Sequence, residues 1–260
     1  MGLTSFVKAS ESDGVLTLTI SRPEKKNALT GEMYTALADE LERAEREPGI
    51  KVVLIQGDGD SFTAGNDLDE FRAQAIEPES EGSEESPAFR FTEVIAGATK
   101  PLVAAVQGNA VGVGATMLLH CDLIYLAENA RLITPFVNLA LVPEAASSYL
   151  LPARLGYVQA YAMFALGEPL NAAMAVSRGL ANEVVPIAEL RSRASAAAVK
   201  LAKRPVGALA KTKSLMREHS RMTAQMSEEA KIFKERLVTA EAREAFAAFA
   251  ERRAPDFSKV

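Results

Sequence analysis

The sequence predicts an α/β protein with a helical C-terminal region. Strand and helix signals alternate along the first third of the chain, and repeated strand–turn–helix units followed by helices are the pattern of an α/β core with a helical appendage. Several apolar runs are too short for helices and suit strands that are buried on both faces. From about Leu190 onward the signal is almost wholly helical and richer in charge. We therefore expect a core at residues 1–190 and a helical region at residues 191–260.

The first elements follow from periodicity and from a helix-start signal. Residues 15–20 alternate apolar side chains with threonine, which predicts a strand with one buried face. A polar turn containing proline follows, and Thr30 is then placed as the N-cap of a helix with an apolar stripe. Residues 52–55 are continuously apolar and predict a fully buried strand.

Residues 76–87 are acidic, contain Pro, Ser and Gly, and have little to bury. This composition predicts a mobile surface loop. The loop lies between two segments that carry motifs, so a lid over a site is an equally supported interpretation.

The middle of the chain predicts a second group of strands. Residues 101–106 form a buried strand that continues through the glycine-rich residues 108–114 into an apolar helix at 115–121. Residues 123–126 and 131–134 predict short strands.

Composition excludes several classes of function. The net charge of −5 and the pI of about 5.3 do not favour a nucleic-acid-binding surface. Cys121 is the one cysteine, so an internal disulfide is impossible and a reducing compartment is favoured. No apolar run is long enough to span a bilayer. We expect a cytoplasmic protein without a membrane or nucleic-acid partner.

Two glycine turns carry the chemistry, at residues 61–68 and 108–114. Each follows a buried strand and leads toward a helix, where the first N–H groups lack acceptors within the helix. Two such turns facing each other could direct two N–H groups at one oxyanion, a contribution of ~3–4 kcal/mol per donor. Close packing of helix on strand is the alternative. Neither a dinucleotide-binding G-x-G-x-x-G after the first strand nor a P-loop is present.

The segments at 22–29, 62–68, 100–114 and 121–122 together resemble the crotonase, or enoyl-CoA hydratase/isomerase, superfamily. They occur in the order and at the spacing of that family. The resemblance extends over essentially the whole chain, and the ordered set is far more specific than either glycine turn alone.

The resemblance implies a spiral of ββα units followed by helices that mediate trimerisation, giving a homotrimer or a dimer of trimers. It implies an acyl-CoA substrate and no cofactor or metal, since coenzyme A is part of the substrate. The oxyanion donors fall on the backbone N–H groups of Asn66 and Val113. Val113 stands where the family usually has glycine, which a backbone donor tolerates if the turn needs no positive φ there. The substrate-binding and CoA-binding positions carried over are Lys25, Lys26, Ala28, Ala64, Gly65, Asn66, Asp67, Leu68 and Val113.

The reaction depends on the carboxylates. Hydratases of this family use two glutamates flanking a water, and this chain has Thr116 and Phe136 at those positions, neither of which can act as a base. Glu144 lies in a segment that resembles the Δ3,Δ2-enoyl-CoA isomerases, where one glutamate serves both C2 and C4. Apolar neighbours would raise the pKa of Glu144 and a following helix N-terminus would lower it. The alternative is that Glu144 merely occupies the first turn of a helix.

Other conspicuous residues near the motifs are assigned structural roles. Asp67 and Asp122 are interpreted as a cap and a structural hydrogen-bond acceptor. His120 and His219 have no nucleophile motif and form no metal site. Cys121 is predicted to be in the core.

In the C-terminal region, Phe246 and Phe249 are predicted to be packing residues, although the resemblance allows this region to approach the acyl or CoA pocket, including that of a neighbouring subunit. Lys211 and Lys213 are assigned to a solvated helix face rather than to a CoA phosphate.

The sequence thus leads to the hypothesis of an enoyl-CoA isomerase that moves a double bond from C3 to C2 in fatty-acid β-oxidation. Two alternatives stay open: a hydratase of the same superfamily, and a non-catalytic acyl-CoA-binding protein. Acyl chain length and the choice between trimer and hexamer are not predicted.

Overall fold

The structure, a computed structural model, describes residues 6–70 and 86–260. The predicted acidic loop at 76–87 falls almost entirely outside these ranges. Its last residue, Pro87, begins a helix.

A mixed sheet forms the centre of the fold. In the described part of the chain it has six strands, and only its first pair is antiparallel. In spatial order they are β1 (Val7–Ser12), β2 (Val15–Ile20), β3 (Val52–Gly57), β4 (Leu102–Val106), β6 (Leu123–Ala127) and β9 (Glu183–Val185).

One row of register positions crosses this sheet. Leu18, Ile55, Ala104 and Ile124 are successive partners on neighbouring strands, and all four side chains are buried in the largest apolar cluster. Their neighbours along each strand point to the opposite face, as the pleat requires. Both faces are therefore buried, which explains why these strands read as continuous apolar runs.

A smaller sheet holds the second glycine turn. It consists of β5 (Asn109–Val111), β7 (Arg131–Ile133) and β8 (Leu170–Asn171). An isolated bridge between Thr63 and Ala110 joins the first glycine turn to β5.

Two long helices cover the faces of the main sheet. Helix α1 (Gly31–Arg46) begins at Thr30, whose hydroxyl accepts the Met33 N–H at 3.3 Å, and the predicted cap is confirmed. Helix α7 (Leu190–Ala202) packs Leu190, Ala194, Ala198 and Ala202 on the other face. This helix is therefore part of the core packing, and the boundary between 190 and 191 stays a prediction.

The other helices connect the strands or follow the sheet in the C-terminal region. They are α2 (Pro87–Gly97), α3 (Val113–Thr116), α4 (Ser147–Leu155), α5 (Tyr157–Leu166), α6 (Ala172–Ser177), α8 (Val206–Leu215), α9 (His219–Leu237) and α10 (Ala240–Ala250), with short 3₁₀ helices at Pro23–Lys25, Met117–His120, Val137–Leu139, Ile187–Glu189 and Phe257–Lys259. No described helix is long and apolar enough to cross a membrane.

The predicted strands at 15–20, 52–55, 101–106, 123–126 and 131–134 are confirmed to within two residues at their ends. The predicted helix at 115–121 begins earlier and ends as a 3₁₀ helix. It begins earlier because the carbonyl of Gly112 accepts the first helical N–H groups.

Lys213 corrects the prediction of a solvated helix face, because it is buried. Its ammonium group lies 2.8 Å from Asp122 Oδ2 and donates to the Lys100 carbonyl at 2.9 Å. Asp122 Oδ2 also accepts the Leu102 N–H at 2.8 Å, as predicted for a structural acceptor. This ion pair fastens α8 to the segment between β4 and β6. Lys211, by contrast, is exposed.

Candidate active site

A buried asparagine shapes the first glycine turn. Lys26 and Asn27 both have a positive φ, which turns the Asn27 side chain into the protein. Asn27 Nδ2 donates to the carbonyls of Asp58 and Ser61 at 2.7 and 2.8 Å, and its Oδ1 accepts the Arg22 N–H at 2.7 Å. The turn at 22–29 is thereby held against the loop that precedes the oxyanion segment.

The peptide of Asn66 faces away from the turn that supports it. The Leu29 N–H donates to the Gly65 carbonyl, and the Asp67 N–H donates to the Leu29 carbonyl, both at 2.8 Å. In such a parallel bridge the N–H of the central residue points to the opposite side. The Asn66 N–H is therefore directed away from Leu29.

The second predicted donor lies at a helix start. Gly112 has φ 54° and ψ −117°, a conformation that favours glycine, and its carbonyl accepts the N–H groups of Ala115 and Thr116. Val113 is the first residue of α3 and does not have a positive φ. The structure thus meets the condition under which valine can replace the usual glycine. Its N–H has no acceptor within the helix.

The two glycine turns are in direct contact. A Cβ on Gly65 would lie 2.8 Å from the Val111 carbonyl oxygen, and one on Gly114 would lie 2.5 Å from Thr63 Cγ2. Both distances are shorter than a side chain allows, so the two glycines permit the approach. Close packing is therefore one role of these turns. It is compatible with the other predicted role, in which the two turns direct two N–H groups at one oxyanion.

Asp67 caps the start of the helical segment that follows Asn66. Its Oδ1 accepts the Asp69 N–H at 3.1 Å, as predicted for a cap. Its Oδ2 lies 2.6 Å from Arg22 Nη1, and the same guanidinium donates to the Ala28 carbonyl. The Asp67 carboxylate therefore makes its hydrogen bonds to groups of the protein itself.

Glu144 lies before a helix, not in it. Helix α4 begins at Ser147, and Ala145 and Ala146 both adopt left-handed conformations with φ 58° and 56°. The interpretation of Glu144 as a first-turn residue is therefore wrong. Glu144 as a whole residue is half-buried, and its carboxylate accepts a hydrogen bond from Thr116 Oγ1, with an O–O distance of 2.5 Å.

Burial sets the acidity of this carboxyl group. Desolvation raises the pKa of Glu144 to about 7, the Thr116 hydrogen bond opposes that change, and the charge of Glu229 adds to it. The sequence left open whether apolar surroundings or a helix N-terminus would prevail. The apolar surroundings prevail, because α4 begins three residues later and another acid accepts N–H groups at its start.

That other acid is Glu229, which sequence reasoning missed. It lies on α9 and is only 4% exposed. Its carboxylate accepts the Ala146 N–H at 2.6 Å, the Ser148 N–H at 2.9 Å and the Ser148 hydroxyl at 2.5 Å. An acid on the same helical stripe as the buried Met222 and Met226 was the signal that could have identified it.

Tyr34 was also missed by the sequence reasoning. It is a buried residue of α1, and its hydroxyl donates to Asn66 Oδ1. Burial and then the charge of Glu144 raise its pKa well above the ordinary value. Tyr34 therefore hydrogen-bonds to Asn66, and the charge of the candidate base Glu144 affects its pKa. Its place on the apolar stripe of α1 makes it resemble an ordinary core residue in the sequence.

The remaining predicted roles are partly confirmed. Phe136 and Phe246 pack in one buried cluster, but Phe249 is 59% exposed in the single chain, so its predicted packing is wrong there. Cys121 is buried as predicted, and burial raises its thiol pKa to about 12. Burial lowers the pKa of His120 to about 3. Within the described ranges no cluster of three or more His, Cys, Asp or Glu side chains could hold a metal ion.

A cavity of about 420 Å³ adjoins the first glycine turn. It is lined in part by Lys26, Ala64, Asn109 and Arg131. Lys26 is exposed, with its ammonium group 2.6 Å from Asp60, and Lys25 beside it is exposed as well.

The fold and this site define an α/β protein in which a desolvated carboxylate is bonded to the short helix that follows the second glycine turn. The chain belongs to the enoyl-CoA hydratase/isomerase family, whose profile matches residues 10–259. The crystal structure of an enoyl-CoA hydratase/isomerase from Pseudoalteromonas atlantica T6c is similar to it, with a TM-score of 0.92 and 43% identity over 97% of this chain and 100% of that one. The predicted fold class is thus confirmed.

Curated relatives carry names from several reactions. The 1,2-epoxyphenylacetyl-CoA isomerase of Escherichia coli is 31% identical over 98% of this chain and 99% of its own. The enoyl-CoA delta isomerase 2 of Rattus norvegicus is 32% identical over 95% of this chain, which spans 66% of that longer protein. Relatives of similar identity bear hydratase names. The comparisons therefore establish the family, and the names of the relatives do not point to one reaction.

Proposed function

We propose that this protein is a Δ3,Δ2-enoyl-CoA isomerase in which Glu144 is the single catalytic base. The observation that carries the proposal is the desolvated Glu144 carboxylate bonded to Thr116. Thr116 occupies the position of a hydratase glutamate, and it supplies a neutral donor to the base. A base with a pKa of about 7 is matched to proton transfer near neutral pH.

The proposed reaction needs one acid–base group. The thioester oxygen of a 3-enoyl-CoA accepts the N–H groups of Asn66 and Val113, which stabilises negative charge there by ~3–4 kcal/mol per donor. Glu144 removes a proton from C2, and the electrons of the C2–H bond form a C1–C2 double bond as the carbonyl π electrons move to the thioester oxygen, which gives a dienolate. The carbonyl then re-forms, the C1–C2 π electrons become the C2–C3 double bond, and the original C3–C4 π electrons take up the proton at C4 from protonated Glu144.

Coenzyme A is proposed to bind along the first glycine turn. Lys25 and Lys26 supply positive charge for phosphate groups, and the cavity beside Ala64 adds Arg131, which the sequence analysis did not select. The remaining proposed contacts are Ala28, Ala64, Gly65, Asn66, Asp67, Leu68 and Val113. Since Asp67 is paired with Arg22, its contribution is assigned to the backbone. The proposal includes no metal or separate cofactor, and a cytoplasmic homotrimer or dimer of trimers.

A hydratase is the second candidate, because similar relatives bear that name. Hydration in this family would need a second carboxylate beside the water. Glu229 is an acid whose negative charge raises the pKa of Glu144. Its carboxylate, however, already accepts hydrogen bonds from three donors of the protein. This favours isomerisation over hydration.

The test compares a trans-3-enoyl-CoA with a trans-2-enoyl-CoA as substrates for the wild type and for Glu144→Gln. The matched control is Glu128→Gln, which removes the same charge from an exposed position. We expect isomerisation by the wild type and the control, and a loss of ~10³-fold or more in the Glu144 variant. Efficient hydration of the 2-enoyl substrate would support the hydratase, and CoA binding without turnover would support a non-catalytic binding protein.

A further inference from the structure

Glu229 has no part in the chemistry proposed above, yet it is a deeply buried acid whose charge acts on the candidate base. It projects from α9, in the C-terminal helical region, into the segment that carries Glu144. All three of its donors come from Ala146 and Ser148, and Gln225 from the same helix donates to the Ser148 hydroxyl at 2.9 Å. The contact therefore joins α9 to the start of α4.

The segment it contacts has an unfavourable backbone conformation. Ala145 and Ala146 are consecutive left-handed residues without glycine, a conformation that costs ~1 kcal/mol or more for each. Such a pair persists only where its surroundings fix it. His120 Nε2 lies 2.9 Å from the Ala145 carbonyl, and Glu229 accepts the Ala146 N–H. Each of the two residues after Glu144 is thus fixed by a buried side chain from another element.

We propose that Glu229 is a positioning residue for Glu144, which holds the 144–148 segment in place and places a second negative charge beside the base. The inference rests on the proposed function in taking Glu144 as the base. It assigns to the C-terminal helices a role within the active site of their own chain, in addition to any role in assembly.

The electrostatic part of this role depends on what else faces Glu144. Thr116 from α3 donates a neutral hydrogen bond, Tyr34 from α1 carries a raised pKa and is a neutral phenol near pH 7, and burial keeps His120 neutral there. Glu229 is therefore the charged neighbour with a resolved effect on the Glu144 carboxyl, and that effect raises its pKa. Burial raises the pKa of Glu229 itself above its ordinary value, and its three hydrogen-bond donors oppose that rise.

The experiment uses Glu229→Gln, which keeps the side-chain shape and removes the charge. Glu228→Gln is the matched control, since it removes the same charge from the exposed neighbouring position on α9. The Glu144 carboxyl is followed by ¹³C NMR of glutamate-labelled protein, with its signal identified by its absence in Glu144→Gln. The pH dependence of kcat/KM is measured in parallel on the 3-enoyl substrate.

We expect Glu229→Gln to lower the Glu144 pKa by roughly 0.5–1 unit and to move the acid limb of the pH profile by the same amount. We expect kcat to fall ~10-fold while KM changes less than ~2-fold, because the base is weaker and less well placed. Glu228→Gln should match the wild type. Identical NMR titrations of Glu144 in Glu229→Gln and wild type would overturn the inference.

A second variant separates the effect of the Glu229 charge from the effect of its side-chain length. Glu229→Asp keeps the charge but shortens the side chain, so the hydrogen bonds to Ala146 and Ser148 lengthen. We expect its kcat to fall while the Glu144 titration stays within ~0.3 unit of wild type, since the charge is retained. Unchanged kcat in this variant would contradict the positioning role, and it serves as the test should the glutamine variant not fold.

Failure of the proposed isomerase function and failure of the inference about Glu229 give different results in these experiments. If the wild type does not isomerise the 3-enoyl substrate, the Glu144 titration still reports whether Glu229 acts on it. If the wild type isomerises through Glu144 but Glu229→Gln leaves the titration unmoved, only the inference about Glu229 fails.

Discussion

Thr116 and Glu144, 28 residues apart in the chain, meet through a hydrogen bond between the threonine hydroxyl and the glutamate carboxylate. The threonine is a donor with no charge, so it favours the ionised form of its partner without competing for the proton. By the family resemblance, it stands at the position where a hydratase is expected to carry an acid. A threonine at position 116 therefore has two effects. It leaves one acid fewer than a hydratase would have, and it places a neutral hydrogen-bond donor beside Glu144.

The first prediction concerns that hydrogen bond. Thr116→Val keeps the shape of a fully buried side chain and removes the hydroxyl, so we expect the pKa of Glu144 to rise above about 7. The acid limb of the pH profile of kcat/KM should move upward by ~0.5–1 unit, because ionised Glu144 becomes less favourable. Steady-state kinetics between about pH 5 and 9 would measure this, and an unmoved limb would contradict it.

The second prediction concerns stability. Unfolded glutamate has a pKa near 4.5, whereas that of folded Glu144 is raised to about 7. Below pH 4.5 the carboxyl is protonated in both states, so Glu144→Gln and wild type should unfold alike. The wild type loses stability as the pH rises from about 4.5 to about 7, because over this range the folded state keeps a proton that the unfolded state has already released. At about pH 8 the variant should be more stable, by up to ~3 kcal/mol.

Urea unfolding at about pH 4, 6 and 8 measures this difference. Glu128→Gln is the control, and at its exposed position its difference from wild type should be small at each pH. A Glu144→Gln variant that is no more stable than wild type at the highest pH would contradict the raised pKa.

The third prediction concerns Gly112. Nothing lies within 4 Å of a Cβ added there, so Gly112→Ala isolates the conformational penalty at positive φ from any clash. We expect a loss of ~1–3 kcal/mol in stability or a shift in the direction of the Val113 N–H, with kcat falling ~10-fold or more. Gly207→Ala is the control, since its added Cβ also meets open space and its φ is not positive. Equal kinetics for the two variants would show that the Gly112 conformation does not shape the donor.

The fourth prediction concerns Asn27. Asn27→Asp keeps the shape but turns an oxygen toward the carbonyls of Asp58, Ser61 and Phe62, in place of the amide donor. We expect a loss of ~3 kcal/mol or more near pH 7, because a buried charge then lacks partners. Thermal or urea unfolding would measure it. Asn109→Asp, at an exposed position, should change stability by less than ~0.5 kcal/mol.

Local signals predicted most of the buried strands and the motif turns, because a buried strand appears as a short apolar run and a turn at positive φ commonly contains glycine. β1 was missed because it is an edge strand with alternating polar residues such as Lys8 and Ser10. The roles of Tyr34 and Glu229 were missed for another reason. Both lie on apolar helix stripes, and their polar partners come from distant segments that only the folded chain brings near. The solvated placement of Lys213 failed because its partner, Asp122, is 91 residues away.

The backbone origin of both proposed oxyanion donors has an evolutionary consequence. Side-chain replacement at Asn66 or Val113 leaves the N–H groups intact, so selection can alter neighbouring acids without dismantling the centre that stabilises the enolate. A lineage can thus exchange one reaction for another through a few substitutions around a fixed pair of amides. Gly65 and Gly112, whose positive φ angles shape the two turns, are then positions at which a side chain would disturb the pair of amides.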